Sequence, residues 1–111
     1  MLFCLCHTAL GQNNYYINKY ESYTREAEYY NRKAEGYERE ATYYSNKARG
    51  FLREAEFHSR RNNTDKASMY IRWANDASDK AKLRMAWAKD ARYKAQLRMK
   101  WAKEAIDKVK Y

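Results

Sequence analysis

The segments at residues 23–36 (YTREAEYYNRKAEG), 37–50 (YEREATYYSNKARG) and 51–64 (FLREAEFHSRRNNT) decide the fold of this chain. They are three copies of one 14-residue repeat. Three further copies follow at 65–78 (DKASMYIRWANDAS), 79–92 (DKAKLRMAWAKDAR) and 93–106 (YKAQLRMKWAKEAI). Fourteen residues are two heptads, and a sustained seven-residue apolar repeat is typical of α-helices that wind around each other. The sequence therefore predicts an all-α protein made of long heptad-repeat helices.

Alanine and aromatic residues form the predicted seam between these helices. In the first three repeats they alternate at spacings of four and three, which places them on one stripe of a helix. In the last three repeats, alanine recurs at every seventh residue. Small alanine beside large tyrosine lets two helices approach closely while the phenol hydroxyls reach water at the edges. The predicted assembly seam comprises Tyr23, Ala27, Tyr30, Ala34, Tyr37, Ala41, Tyr44, Ala48, Phe51, Ala55, Ala67, Ala74, Ala81, Ala88, Ala95 and Ala102.

The stretch at 60–65 (RRNNTD) interrupts the seam, and the alanine series jumps there from Ala55 to Ala67. Asn63, Thr64 or Asp65 would each cap a new helix. We therefore predict a helix over 12–61, a turn at 62–65 and a basic helix over 66–111, paired as an antiparallel hairpin. The alternative is one continuous helix, which the unbroken 14-residue register across the junction favours. Neither arrangement covers the apolar faces fully, so both predict self-association as a coiled coil or bundle.

The N-terminal residues 1–11 are interpreted as a truncated signal peptide. A short apolar run (LFCLCHTAL) is followed abruptly by polar residues, and Ala9 and Gly11 are small residues at the positions that cleavage requires. A basic start is missing, and His7 interrupts the run. Asn62-Asn63-Thr64 is an N-x-[ST] glycosylation acceptor, with Asn62 as the modified residue. Both features predict a secreted, extracellular protein.

The composition offers no catalytic chemistry. The chain has no proline and only 3 glycines, which excludes turn-rich sandwiches and barrels, and it has no phosphate-binding glycine loop. Its carboxylates alternate with Lys and Arg on exposed faces, and His58 occupies a seam position. The two cysteines, Cys4 and Cys6, lie too close together for a structural zinc site. The sequence therefore predicts a protein that is not an enzyme and has no catalytic residue, metal or cofactor.

The positive charge is concentrated in the second arm. Residues 65–111 carry 13 basic against 6 acidic side chains, whereas residues 12–61 carry 10 against 8. A basic helix of this kind is typical of a module that binds a polyanion, such as nucleic acid or an acidic polysaccharide. Its Lys, Arg, Trp and Met residues also suit an anionic membrane surface. Binding of an acidic partner through 65–111 is therefore an alternative function, and no small-molecule substrate is predicted.

The tyrosine-rich repeats resemble secreted fibre and adhesive proteins. The resemblance rests on Arg25-Glu26-Ala27, Arg39-Glu40-Ala41 and Arg53-Glu54-Ala55, with the tyrosine pairs Tyr29-Tyr30 and Tyr43-Tyr44. It is to the coiled-coil proteins of mussel byssal threads and marine egg capsules, and it extends over about 90 residues. It implies an extracellular structural protein that self-assembles, with itself or related coiled-coil chains, into a fibre, matrix or adhesive.

Overall fold

The chain folds into two α-helices. The computed structural model describes the backbone of residues 2–110 and the side chains of residues 11–110. Helix α1 extends over Leu2–Arg60 and helix α2 over Thr64–Asp107, with no strand in the described part of the chain. The predicted hairpin is confirmed, and the alternative of one continuous helix is wrong. Apart from Gly11, the residues interpreted as a signal peptide lie outside those whose side chains are described.

A short turn, residues 61–63, reverses the chain. Asn62 adopts a left-handed backbone conformation with φ 60°. The Asn63 amide donates to the His58 carbonyl at 2.9 Å, and the Asn62 amide donates to the Ser59 carbonyl at 3.1 Å. This pair of bonds is the Schellman arrangement, with asparagine at the position that glycine most often occupies. It satisfies the last carbonyls of α1.

Helix α2 begins immediately after the turn. The Asn63 carbonyl accepts the first helical hydrogen bond, from the Ala67 amide at 3.1 Å, so Asn63 is the N-cap residue. Asp65 lies in the first turn of α2, where its negative charge favours the amino end of the helix dipole. The break in the alanine series between Ala55 and Ala67 therefore corresponds to the end of one helix and the beginning of the next.

The chain divides into two units. The turn unit consists of Ala34–Asp90, and the terminal unit consists of Met1–Lys33 with Ala91–Tyr111. Each unit contains one segment of α1 and one of α2. In the turn unit, Phe51 contacts Trp73 and Tyr37 contacts Trp87. A step of 14 residues back along α1 is thus a step of 14 forward along α2, so the segments are antiparallel.

The interior consists almost entirely of alanine. In the turn unit, every alanine except the exposed Ala86 has at most 8% of its surface exposed. The terminal unit has the same kind of interior, closed by Val109 near the end of α2. No side chain larger than valine is buried among residues 11–110. The buried alanines are Ala27, Ala34, Ala41, Ala48, Ala55, Ala67, Ala74, Ala77, Ala81, Ala88, Ala91, Ala95, Ala102 and Ala105.

Alanine suits such an interior for two reasons. It has the highest helix propensity of all residues. Its small side chain also permits helix axes to approach closely. The large side chains are consequently displaced to the two grooves that run beside the seam. Over the described residues, neither helix contains a segment that is long and apolar enough to span a bilayer.

Candidate functional site

One groove beside the seam carries a repeated cluster of aromatic and charged side chains. In the turn unit, the Arg84 guanidinium carbon lies 4.4 Å from the Trp87 ring and 5.5 Å from the Tyr44 ring. Arg84 Nε also donates to Glu40 Oε2 at 2.8 Å. Tyr37 packs edge-to-face against Trp87, with 5.5 Å between the ring centroids. We call Tyr37, Glu40, Tyr44, Arg84 and Trp87 the Arg84 cluster.

The terminal unit contains the same arrangement one repeat away along each helix. Arg98 lies 4.6 Å from the Trp101 ring and 5.3 Å from the Tyr30 ring, and its Nε donates to Glu26 Oε2 at 3.0 Å. Tyr23 packs edge-to-face against Trp101 at 5.7 Å. The 14-residue repeat of the sequence is therefore a repeat of contacts. Aromatic rings with a guanidinium at this range attract it by cation–π interaction.

The repeat next to the turn has a different chemistry. Tyr70 occupies the place of Arg84 and Arg98, and it stacks on His58 with 5.5 Å between centroids and 6° between planes. Trp73 meets both Tyr70 and Phe51 edge-to-face, at 5.4 and 5.6 Å. We call Phe51, His58, Tyr70 and Trp73 the Tyr70 cluster.

A second row of aromatic rings lies further out on α1. In the turn unit, Tyr43 packs edge-to-face on Tyr44 at 5.2 Å, and Phe57 packs in the same way on His58. Tyr43 remains 57% exposed and Phe57 46%. The cation four residues later in the sequence lies over each of these rings: Lys47 over Tyr43, and Arg61, the first residue of the turn, over Phe57. In the terminal unit, Tyr29 and Lys33 repeat the pattern.

Each unit also has a shallow hollow on this surface, lined by equivalent residues. The hollow of the turn unit, about 170 Å³, is lined by Tyr44, Lys47, Phe51, Trp73, Asp76, Ala77 and Lys80. The hollow of the terminal unit, about 330 Å³, is lined by Tyr15, Tyr16, Lys19, Tyr23, Trp101, Glu104, Ala105 and Lys108. Apart from Tyr15, every residue of the second hollow stands 28 positions from its counterpart in the first.

We call this surface the aromatic face. In the turn unit it comprises the Arg84 and Tyr70 clusters together with Tyr43, Phe57 and two aliphatic residues of α2. Those two, Met69 and Leu83, stand one helical turn before Trp73 and Trp87. Trp73, Leu83 and Trp87 are 43%, 47% and 42% exposed.

The other groove is more polar and carries isolated apolar side chains. In the turn unit these are Leu52, Ile71 and Met85, each about half exposed. In the terminal unit, Arg92 on this side donates to Asn31 Oδ1 at 3.1 Å. Altogether, thirteen large apolar or aromatic side chains are exposed among the described residues. So many exposed large side chains are typical of a surface that another molecule covers.

Lysines form a row on the side of α2 that faces away from the aromatic groove. Lys82, Lys89 and Lys103 share one heptad position and are all exposed. Lys82 and Lys89, both in the turn unit, are seven residues apart and so stand about 10 Å from each other along the helix axis. The excess positive charge of the second arm is therefore partly organised as a row of exposed ammonium groups.

The structure places the predicted seam residues in two kinds of position. All of the predicted seam alanines are buried between α1 and α2 of the same chain, and the aromatic residues Tyr23, Tyr30, Tyr37, Tyr44 and Phe51 lie half-buried at their edge. The alanines are thus unavailable to another chain. Asn62, the predicted glycosylation acceptor, is exposed in the turn.

Sequence reasoning missed the arginines that lie between the rings. Arg84 and Arg98 share a heptad position with the buried Ala77, Ala91 and Ala105, so they alternate with core residues. That alternation was visible in the sequence, and it indicates an arginine whose stem lies in the groove. Their side chains are only about one-fifth exposed.

The described residues contain no group of three or more His, Cys, Asp or Glu side chains that could hold a metal ion. On the aromatic face, Arg84 and Arg98 instead bond to carboxylates and lie beside rings, and Lys47 lies over the Tyr43 ring. Comparison of the chain with protein-family models, curated proteins and solved structures gave no match. The functional conclusion therefore rests on the sequence and on the geometry of the hairpin.

Proposed function

We propose that the chain is a non-enzymatic structural protein whose hairpins self-associate into a larger extracellular assembly, such as a fibre, matrix or adhesive. The observation that carries the proposal is the division of side chains by size. Among residues 11–110, the hairpin buries alanine and one valine. It leaves seven large side chains 37–53% exposed: Trp73, Trp87, Trp101, Leu52, Leu83, Met85 and Met99. Burial of apolar surface is the main favourable term in association, and most of the large apolar side chains among residues 11–110 remain exposed and available for such burial.

The repeat supports an assembly role. The Arg84 cluster of the turn unit and the equivalent residues around Arg98 in the terminal unit present the same groups, so each unit offers an equivalent contact point to a neighbour. Equivalent contacts add up in avidity when a partner engages them together. The exposed glycosylation acceptor Asn62 and the signal-like residues 1–11 support the extracellular location.

Sedimentation and thermal melting of the full chain test self-association. If folding is coupled to assembly, the melting temperature rises with protein concentration over about a hundredfold range. Replacing Leu83 and Met85 by glutamine, which has a similar helix propensity, should lower both the sedimentation coefficient and this concentration dependence. Ala86→Gln is the matched control, because Ala86 is an exposed residue of the same helix. A wild-type chain that remains monomeric, with concentration-independent melting, would contradict the proposal.

The lysine row favours a second candidate function, binding of a polyanion or an anionic membrane surface. Replacing Lys82, Lys89 and Lys103 by glutamine should weaken heparin binding and reduce its salt dependence, because fewer counterions are released. The control removes the same charge from the aromatic face by replacing Lys19, Lys47 and Lys80. If both triple variants lost the same amount of heparin affinity, or if binding were insensitive to salt, a specific role for the lysine row would be excluded.

A further inference from the structure

Two glycines in the interior of α1 have no explanation within the hairpin. Gly36 and Gly50 both lie in regular helix, and neither has a positive φ. A Cβ added to Gly50 would meet nothing within 4 Å, and one added to Gly36 would meet only the Arg39 guanidinium at 4.0 Å. Glycine is the least favourable residue after proline inside a helix. The isolated hairpin would therefore be more stable with alanine at both positions.

The two glycines belong to a row that alternates large and small residues. Along the outer edge of the aromatic face in the turn unit, the order is Gly36, Tyr43, Gly50 and Phe57. Successive members are seven residues apart, so they share one side of α1. The rings of Tyr43 and Phe57 project from this edge. Gly50 leaves a gap between the two rings, and Gly36 leaves another on the far side of Tyr43.

On α2, at the opposite edge of the face, the order of large and small side chains is reversed. Tryptophan lies level with each glycine of α1, and a smaller side chain lies near the level of each ring. Trp73 contacts Phe51, the neighbour of Gly50, and Trp87 contacts Tyr37, the neighbour of Gly36. The two tryptophans are therefore level with the two glycines along the turn unit. By the same register, the smaller Leu83 and Met69 lie near the levels of Tyr43 and Phe57.

We propose that a second copy of this chain packs on the aromatic face, with α1 of each copy lying over α2 of the other. The inference rests on the proposed self-association and names its surface. A twofold axis parallel to the helices keeps every residue of the turn unit at its own level. Trp73 and Trp87 then enter the gaps that Gly50 and Gly36 leave in the partner. Tyr43 and Phe57 cover the shorter Leu83 and Met69.

Charge complementarity selects this partner and this orientation. Lys47 and Asp76 line the same hollow, so they lie at one level on the two edges of the face. Within the described part of the chain, Asp76 makes no ion pair, and Lys47 lies over the Tyr43 ring. With α1 over α2, each Asp76 meets the Lys47 of the other copy. Placing α1 over α1 would remove this pairing and set the aromatic rows against each other.

The test fills the glycine gaps in the full chain. Leucine at 36 and 50 raises the helix propensity of α1. Within the isolated hairpin, the Cβ atom at 36 meets only the Arg39 guanidinium, at 4.0 Å, and the Cβ atom at 50 meets nothing within 4 Å. In the dimer, the same leucines occupy the space of the partner's tryptophans. We therefore expect Gly36→Leu with Gly50→Leu to weaken dimerisation at least tenfold in sedimentation equilibrium. Helicity measured at low concentration should stay the same or rise.

Gly11→Leu is the matched control. Gly11 is also a helical glycine with nothing within 4 Å, but it shares its heptad position with the exposed Arg25 and Arg39, away from the aromatic face. Its replacement should leave the dimer unchanged. If the double variant dimerises as tightly as the wild type, the inference is overturned while self-association stands. If the wild type does not self-associate, the proposed function fails as well.

A charge exchange tests the proposed contact of Lys47 with Asp76 of the other copy. The Lys47→Glu chain and the Asp76→Lys chain each place like charges together when they pair with themselves. When the two chains are mixed, both contacts become complementary. Native mass spectrometry should therefore show the mixed dimer in clear excess over its statistical share. A statistical mixture would exclude the arrangement with α1 over α2.

Discussion

The Arg84 cluster and the Tyr70 cluster occupy successive repeats of the turn unit, and they use different chemistry for the same geometry. In the first, a guanidinium lies beside Tyr44 and Trp87 and bonds to Glu40. In the second, the phenol ring of Tyr70 takes the place of the guanidinium, and His58 takes the place of Tyr44. The tryptophan keeps its edge-to-face contact with a ring of α1 in both.

The comparison shows which part of the repeat determines the structure. The alanines are the same in both repeats, and they set the distance between α1 and α2. A planar group on α2 then fits between two rings whether it is charged or neutral. The seam should therefore dominate stability, and the identity of the planar group should make a smaller difference.

The largest expected effect comes from filling the seam. Ala88 and Ala74 are each 2% exposed and lie near the Arg84 and Tyr70 clusters, respectively. Leucine at either position forces the helices apart, at a cost of about 2–3 kcal/mol in the free energy of unfolding. Ala88→Leu and Ala74→Leu should be equally harmful, as measured by chemical denaturation at one protein concentration.

Ala86→Leu is the control, because Ala86 is exposed on the same helix. It should change stability by less than about 0.5 kcal/mol. If Ala88→Leu proved as mild as this control, the seam would be loose rather than close-packed. A large difference between Ala88→Leu and Ala74→Leu would show that the two repeats do not share one interhelix distance.

A smaller effect is expected at the turn that adjoins the Tyr70 cluster. Asn62 has a left-handed conformation, which costs a β-branched residue about 1–2 kcal/mol. Asn62→Val should lower the thermal stability accordingly, and Asn62→Gly should preserve or raise it. Equal stability of the valine and glycine variants would mean that the turn is remodelled without loss.

The smallest effect should come from exchanging the planar groups. Arg84→Ala removes a cation–π contact and an ion pair, together about 1–2 kcal/mol. Arg84→Tyr copies the Tyr70 cluster and should cost less than half as much. High salt should weaken the wild type slightly more than the Arg84→Tyr variant, because only the wild type has the exposed Glu40 pair to screen. If Arg84→Tyr were as unstable as Arg84→Ala, a phenol ring and a guanidinium would not be equivalent at this position.

The all-α fold and the hairpin could be predicted because the repeat and its interruption are both explicit in the sequence. Alanine at every seventh residue fixes the buried stripe, and the jump from Ala55 to Ala67 indicates a turn. The bounds of the turn were less predictable, since Asn62 and Asn63 both suit a helix end. The left-handed conformation of Asn62 decides that Asn63 caps α2.

The contacts across the seam could not be predicted in the same way. Whether Arg84 meets Glu40 or another carboxylate depends on the register between the arms, which the turn sets only once its geometry is known. Similarly, Lys80 lies over the Tyr44 ring of the other helix, at 5.6 Å. The sequence shows only its neighbours on α2. The tryptophans of α2 can be seen to lie level with the glycines of α1 only after the register between the two arms is known.

The uniformity of the alanine interior has a consequence for how the hairpin could grow or misfold. Sliding α2 past α1 by one repeat, about 21 Å, would again bring alanine against alanine and ring against ring. The interior therefore distinguishes poorly between registers, and the turn around Asn62 selects one of them. The hairpin can lengthen and keep the kinds of contact that it already has only if each arm gains a repeat at the same level. An insertion in one arm alone would leave 14 residues without a partner, so the two arms have to evolve in step.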